Sequence, residues 1–161
     1  MAIPVYLTLE DEGGKLIKGG VDVSGREGSI EILELMHNVE LPTDDMSGKI
    51  TGTRIHTPYA VMKEIDCSSS ILNRYVTSGR RLARATLDFY AINYNGQEEN
   101  YFKTVLEGVR VRSVERFFQD FKDSNYAQYG HLEYVELAYE QISWHFIDGN
   151  IIHSDSWNER S

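Results

Sequence analysis

"LARATLDFYAINYNGQEENYFKTVLEGVRVRSVER", Leu82–Arg116, is the stretch whose reading decides the fold. Asn95-Gly96 sits between two β-rich runs, and Asn-Gly at such a place is the strongest short signal for a hairpin. The chain therefore runs out, turns back and pairs with itself. The next segment, "FFQDFKDSNYAQY", is an aromatic-rich connection. "HLEYVELAYEQISWHFI" then reads as one long strand, and Asp148-Gly149 makes a second tight turn into "NIIHSDSW".

Upstream, Ile3, Val5, Leu7 and Leu9 alternate with Pro4, Tyr6 and Thr8, the period of a half-buried strand. Asp11 to Gly14 is a turn, and Gly19-Gly20 and Gly25 punctuate the next piece of chain. "SIEILELMHNVELP" places Leu33, Leu35, His37, Val39 and Leu41 on one face and Ile30 and Ile32 on the other, which implies a bulge or a strand apolar on both sides. Pro42 to Pro58 is longer than ordinary connections, and a long loop in a small domain is usually functional or disordered. "YAVMKEID" is again a strand. "SSSILNRYVTSG" is the one clear helix, with Ser68 or Ser69 to cap it, Ile71, Leu72, Tyr75 and Val76 as its apolar stripe, and Gly79 just past its end.

About seven strands and one helix, with few crossovers, imply a mainly β chain folded as an antiparallel barrel or sandwich. In "HLEYVELAYEQISW" both faces are apolar: Leu132, Tyr134, Ala138, Ile142 and Trp144 on one, Val135, Leu137 and Tyr139 on the other. A lone small barrel solvates its exterior, so part of this exterior is expected to meet another chain.

Composition bounds the function. A length of 161 residues fits one domain, residues 1–161. The formal charge of −9 and the lack of a basic run argue against nucleic acid and against an anionic membrane surface. Only local basic patches are present, at Arg80, Arg81 and Arg84 and at Arg110, Arg112 and Arg116. Cys67 is the only cysteine, so no disulfide framework exists, and it reads as a small, partly buried residue beside the helix start. The opening residues lack a basic region and a long apolar run, so no signal peptide is expected, and no apolar run is long enough to span a bilayer.

Chemistry is hard to find. Of the five histidines, His145 and His153 flank a hairpin with Asp148 and Asp155, a weak candidate for a metal that no Cys/His pair or HExxH supports. No nucleophile elbow and no phosphate-cradling glycine loop is present. Asp44-Asp45 reads as turn chemistry. From residues alone the reading is a soluble, acidic, mostly β domain with a long loop, and no motif for a cofactor, a metal or a catalytic centre stands out.

Four pieces in order carry a resemblance: "VDVSGREGSIE", "LPTDDMSGKITGTRIHTPY", "KEIDCSSSILNRYVTSG" and "LAYEQISWHFIDGNIIHSDSW". The chain resembles, over almost its whole length, the hemolysin-coregulated protein family, Hcp, the tube proteins of bacterial type VI secretion. The resemblance implies a compact antiparallel β-barrel of two sheets with one flanking α-helix and a long extended loop. It implies homohexameric rings that stack into a tube inside a contractile sheath. The tube leaves the cytoplasm with a spike protein at its tip and carries or shields effectors in its lumen. The extended loop would reach neighbouring subunits, which makes Pro42, Asp44, Lys49, Arg54, His56 and Pro58 candidate interface residues. The alternative for Arg54 is an ion pair on its own barrel. Two departures stand out: Phe89-Tyr90 where many relatives have Trp-Tyr, and the aromatic stretch with Phe117, Phe118 and Phe121. Two rival functions remain, a monomeric barrel holding a small apolar ligand and an enzyme using His145 or His153.

Overall fold

Residues 3–126 and 130–157 are described in the computed structural model of the chain. Its strands are β1 (Val5–Glu10), β2 (Leu16–Ile17), β3 (Ile30–Ile32), β4 (Glu34–Met36), β5 (Val39–Glu40), β6 (Ile55–His56), β7 (Tyr59–Glu64), β8 (Arg81–Ile92), β9 (Glu98–Phe117), β10 (Leu132–Ala138), β11 (Gln141–Phe146) and β12 (Ile151–Ser156). The helix α1 spans Ser69–Ser78, between β7 and β8.

The hairpin at Asn95-Gly96 is the spine of the structure. β8 and β9 pair from Arg81↔Arg110 to Ile92↔Glu98. Asn93 shapes the turn: its Oδ1 accepts the backbone N–H groups of Asn95 and Gln97 at 2.9 and 3.0 Å. Gly96 takes φ 75°, the left-handed value an L side chain resists.

The two expected sheets are present but unequal. Ten strands form one antiparallel sheet along the path β2-β1-β8-β9-β10-β7-β4, with β3 on β1 and the β11-β12 hairpin on β9. β5 and β6 form a separate two-stranded ribbon. The ten-stranded sheet wraps into a barrel through Ile30–Met36. β3 pairs with β1, and β4 pairs with β7 at the other end of the path. Among the described residues no single ladder closes this circuit, because the segment splits at Leu33. There the backbone N–H reaches Met62 O at 2.8 Å and the side chain stays 38% exposed. This split is the bulge that the phase change between Ile32 and Leu33 implies. Beyond it the expected single face dissolves, since Leu35 packs on the core while Val39 and Leu41 are exposed.

The expected long strand from His131 to Ile147 is two strands. β10 occupies the C-terminal half of one edge of β9, and β11 the N-terminal half of the same edge. The chain turns a corner at Tyr139-Glu140, where Glu140 N–H bonds Glu107 O at 3.0 Å. Across from the corner, Gly108 has φ 63°, the left-handed region that favours glycine, and a Cβ there would lie 2.6 Å from Glu140 Oε2, so the Glu140 side chain would have to move. The corner resets the alternation of faces. Val135, Leu137, Tyr139 and Ile142 are all buried, so the two apolar faces expected for one strand collapse onto one core.

That core is filled by Leu7, Leu9, Val61, Leu87, Leu106, Leu137 and Ile142, none more than 1% exposed. Each such side chain contributes about 1.5–3 kcal/mol by leaving water. The helix adds Leu72 and Tyr75 to the core cluster, with Ile71 and Val76 packed against it. Gly79 closes α1 in the left-handed conformation, its N–H on Tyr75 O, as expected. The N-terminus is different: Ser68 makes no side-chain cap bond. Its hydroxyl donates instead to Asp66 Oδ1, and Ser69 Oγ donates to Glu133 Oε1 at 2.7 Å.

The helix start is held by buried charge. Lys63 Nζ, with a fully buried side chain, donates to Glu133 Oε1 at 2.6 Å, Asp66 Oδ1 at 3.0 Å and Glu64 O at 2.8 Å. Arg116 Nε lies 3.0 Å from the other Glu133 oxygen. Buried ions are tolerated only when paired in this way. Cys67, expected to be partly buried, is exposed, its thiol on Lys18 O at 3.2 Å.

Candidate functional site: an anchored extended loop

Between β5 and β6 the chain makes an excursion that is not structureless. Thr43 and Ile50 form an isolated bridge, and Thr51 N–H returns to Pro42 O at 2.9 Å. The tip is turned by Asp44, whose carboxylate accepts the N–H of Met46 at 2.9 Å and the hydroxyl of Ser47 at 3.0 Å. These bonds, that of Met46 first, hold its pKa below the usual carboxylate value. At the base, β5 and β6 pair Val39 with His56 and Glu40 with Ile55.

The ribbon shares no ladder with the barrel sheet. Polar ties from its base converge on two side chains of the barrel, Tyr139 and Asp155. The Tyr139 hydroxyl lies 2.6 Å from His37 Nε2 and 2.9 Å from His56 Nδ1, and it reaches Thr57 O at 3.2 Å. Asp155 Oδ2 takes His56 Nε2 and Arg54 Nε, both at 2.6 Å, while Arg54 also donates to Ser156 O at 2.9 Å. Aromatic rings enclose the group: His37 stacks on Tyr59 with centroids 4.9 Å apart, His56 stacks on Trp144 at 6.4 Å, and Trp157 lies 5.0 Å from His56.

This enclosure sets the electrostatics. The Arg54 guanidinium, with help from His56, holds the Asp155 carboxyl down at about 2 against the opposing effect of burial. Burial pushes the Tyr59 hydroxyl up to about 12 and raises Tyr139 as well. His37 is pushed below the usual histidine value by burial first and by His56 second.

The hydrogen bonds leave little for catalysis. Both ring nitrogens of His56 are engaged, so it takes no proton from a substrate without breaking a tie. A consistent proton arrangement runs in one direction. His37 Nε2–H donates to Tyr139, Tyr139 donates to His56 Nδ1, and His56 Nε2–H donates to the Asp155 carboxylate. The chemistry on offer is anchoring.

Of the candidate interface residues, the structure brings Arg54 and His56 together, on Asp155. Pro58 lines a neighbouring cavity with Thr57, Arg112, Ala138 and Trp157. Pro42, Asp44 and Lys49 lie out along the ribbon, with Asp44 and Lys49 exposed. Arg54 thus makes the local ion pair that was its alternative reading. The histidines of the β11-β12 hairpin do not converge. His145 sits opposite Ile152 and bonds Asn150, whereas His153 sits opposite Trp144 and stacks on it. Adjacent positions of a strand point to opposite faces, so the two histidines diverge. Among the described residues, no group of three or more His, Cys, Asp and Glu is placed to hold a metal ion.

The residues that sequence reasoning passed over as a site are Tyr139 and His37, with Asp155 considered only for a metal. No local signal could find them, since 83 residues separate His56 from Tyr139 and 99 separate it from Asp155. In the aromatic stretch, Phe117 stacks on Tyr134, and Phe118 on Phe121. Its last part, residues 127–129, lies outside the described residues.

Comparison with known proteins gives a consistent answer. A family model described as "Type VI secretion system effector, Hcp" matches residues 6–146. The "Major exported protein" of Pseudomonas aeruginosa is 30% identical over 167 aligned residues, which cover 98% of this chain and 96% of that protein. The structure of mutant Hcp1 from the E. coli EAEC 042 pathovar is 52% identical, with a TM-score of 0.87, over 97% of this chain and 99% of that one. A crystal structure of an Hcp protein, 26% identical, gives a TM-score of 0.90 over 99% of this chain and 100% of that one.

Proposed function

Since the chain belongs to the Hcp family of type VI secretion proteins, we propose that it is the subunit of the inner tube. Six copies close into a ring, rings stack inside the sheath, and contraction drives the folded tube out with a spike protein at its tip and effectors in its lumen. It acts as a structural protein, without catalysis, cofactor, nucleic acid or membrane insertion.

The observation that carries this reading is where apolar surface is left uncovered. Along the ribbon, Met46 is 95% exposed and Ile50 65%. On a different element, the β11-β12 hairpin, Ile151 is 65% exposed and Ile152 55%. Single exposed apolar residues are ordinary, but clusters on two separate elements favour contact between chains. Two unlike patches favour a head-to-tail contact, which generates a closed ring when the rotation closes and a filament when it does not. Pro42, Asp44 and Lys49 present the loop to a neighbour, and Arg54, His56 and Pro58 hold its base. The packed interior weighs against the ligand-binding barrel, because leucines fill the space where such a ligand would sit.

Sedimentation equilibrium tests the ring. Six chains of 18.5 kDa give about 111 kDa, and a monomer at all concentrations overturns the proposal. Culture supernatants test export: the protein should appear outside sheath-competent cells and not outside sheath-deficient ones, with a cytosolic marker controlling for lysis.

A further inference from the structure

We propose that His37, His56, Tyr139, Asp155 and Arg54 form an acid-released latch that fixes the extended loop to the barrel. As regards contacts between copies, the inference rests on the tube reading; as regards the loop itself, it does not.

Because β5 and β6 pair only with each other, no backbone ladder to the ten-stranded sheet holds the ribbon. Side-chain ties to Tyr139 and Asp155 act at its base, from His37 on the way in and from Arg54 and His56 on the way out. A segment held by a few side-chain bonds opens more readily than one held by a strand ladder, and it opens as a unit.

Tyr139 has one hydroxyl proton and three close partners: His37, His56 and the carbonyl of Thr57. With both histidines neutral, every donor meets an acceptor in the chain His37→Tyr139→His56→Asp155. A proton added at His56 Nδ1 turns that nitrogen into a donor. Tyr139 can then redirect its hydroxyl to Thr57 O, so one proton is accommodated. A second proton, on His37, is not. Two imidazolium rings would stand 6.4 Å apart, centroid to centroid, and the Asp155 carboxylate that faces His56 is already engaged by Arg54. The described groups packed around His37 offer no further negative charge. They are Tyr59 from β7, Tyr139 from the corner, His56 from β6, Trp144 from β11 and, stacked behind Trp144, His153 from β12. Arg112 lines the cavity beside His56, itself facing Glu136 at 3.3 Å. The half-buried place of His37 also disfavours its charged form.

The released loop keeps a free histidine that binds its proton normally, so acid favours release. A group whose pKa is lowered in the closed state destabilises that state as pH falls below its free value, near 6.5. Each unit between the closed and released pKa values of His37 multiplies the opening equilibrium about tenfold.

Hydrogen exchange of the full-length protein from pH 7.5 to 5.0, corrected for intrinsic rates, tests this. Protection of residues 38–57 should fall on acidification while β8 and β9 hold theirs. His37→Gln keeps a donor toward Tyr139 but cannot charge, so it should remove the pH dependence. Should that variant not fold, the wild-type proton titration of His37 Cε1–H by NMR replaces it, and a midpoint at or above the free value overturns the latch. Loop protection that does not change with pH, or that changes equally in His37→Gln, overturns it too. Sedimentation over the same pH range separates the two ideas. A loop that opens while the oligomer persists sustains the latch and refutes the role of the loop between copies.

Discussion

Asp155→Asn removes one charge from the anchor and little else. The wild-type carboxyl titrates at about 2 instead of 3.8, mainly because of Arg54 and then His56. A pKa unit is worth about 1.4 kcal/mol, so the shift corresponds to about 2 kcal/mol of folded-state stabilisation. The side chain is 18% exposed, so solvent screening trims this figure without removing it. The pH dependence is specific. A carboxyl with a lowered folded pKa binds fewer protons folded than unfolded. Its contribution is therefore fully present above the unfolded value of 3.8 and is lost as pH falls through about 2. The variant should be less stable than wild type by about 2 kcal/mol at pH 7, by the same amount at pH 5, and by progressively less below pH 4. Urea unfolding followed by tryptophan fluorescence measures it at fixed protein concentration. Both tryptophans of the chain, Trp144 and Trp157, lie within 6.4 Å of the His56 ring by centroid, so the signal reports on this cluster. A difference below about 0.5 kcal/mol at pH 7, the range of an ordinary surface change, refutes the reasoning, as does one that fails to shrink in acid.

Arg54→Glu sets a second carboxylate against Asp155. It should leave far-UV circular dichroism unchanged while shifting sedimentation from ring toward monomer, and an unchanged mass removes Arg54 from the interface account. Lys63→Met leaves buried Glu133 with Arg116 as the remaining cation and Ser69 as the remaining donor, which costs about 3–5 kcal/mol. The double variant Lys63→Met/Glu133→Leu should recover much of that loss in the same urea assay. Gly108→Ala places a Cβ against Glu140 at a left-handed φ, costing about 1–2 kcal/mol from the backbone alone. A thermal midpoint equal to wild type would show that the corner adapts.

The features legible in the sequence are those that neighbouring residues decide. Gly96 and Gly149 specify their turns by a positive φ, and Gly79 ends the helix for the same reason. Ser68 shows the limit of local rules: a serine before a helix is a good cap, yet here Asp66 competes for its hydroxyl. The break between β10 and β11 is illegible because the bond that marks it, Glu140 N–H to Glu107 O, is made to another strand. Arg54 and His56 stand out in the loop sequence, but their partners come from 83 to 102 residues away. Pairing along the chain carries no trace of such contacts.

The corner and the anchor are one feature. Had "HLEYVELAYEQISWHFI" continued as a straight strand, Tyr139 would have taken its place in an unbroken alternation along one ladder. Because β10 and β11 share one edge of β9, the chain leaves the ladder at Tyr139-Glu140. That ring packs inward at 6% exposure, and its hydroxyl reaches the base of the ribbon. Glu140 fixes both sides of the step: its N–H bonds Glu107 O, and its carbonyl accepts Trp157 N–H, each at 3.0 Å. The second of these bonds seats the end of β12 beside the corner, which brings Asp155 within reach of Arg54 and His56. Gly108, in the left-handed conformation, faces this corner from β9, and a Cβ there would push on the Glu140 side chain. A change at Gly108 should therefore disturb a loop it does not touch.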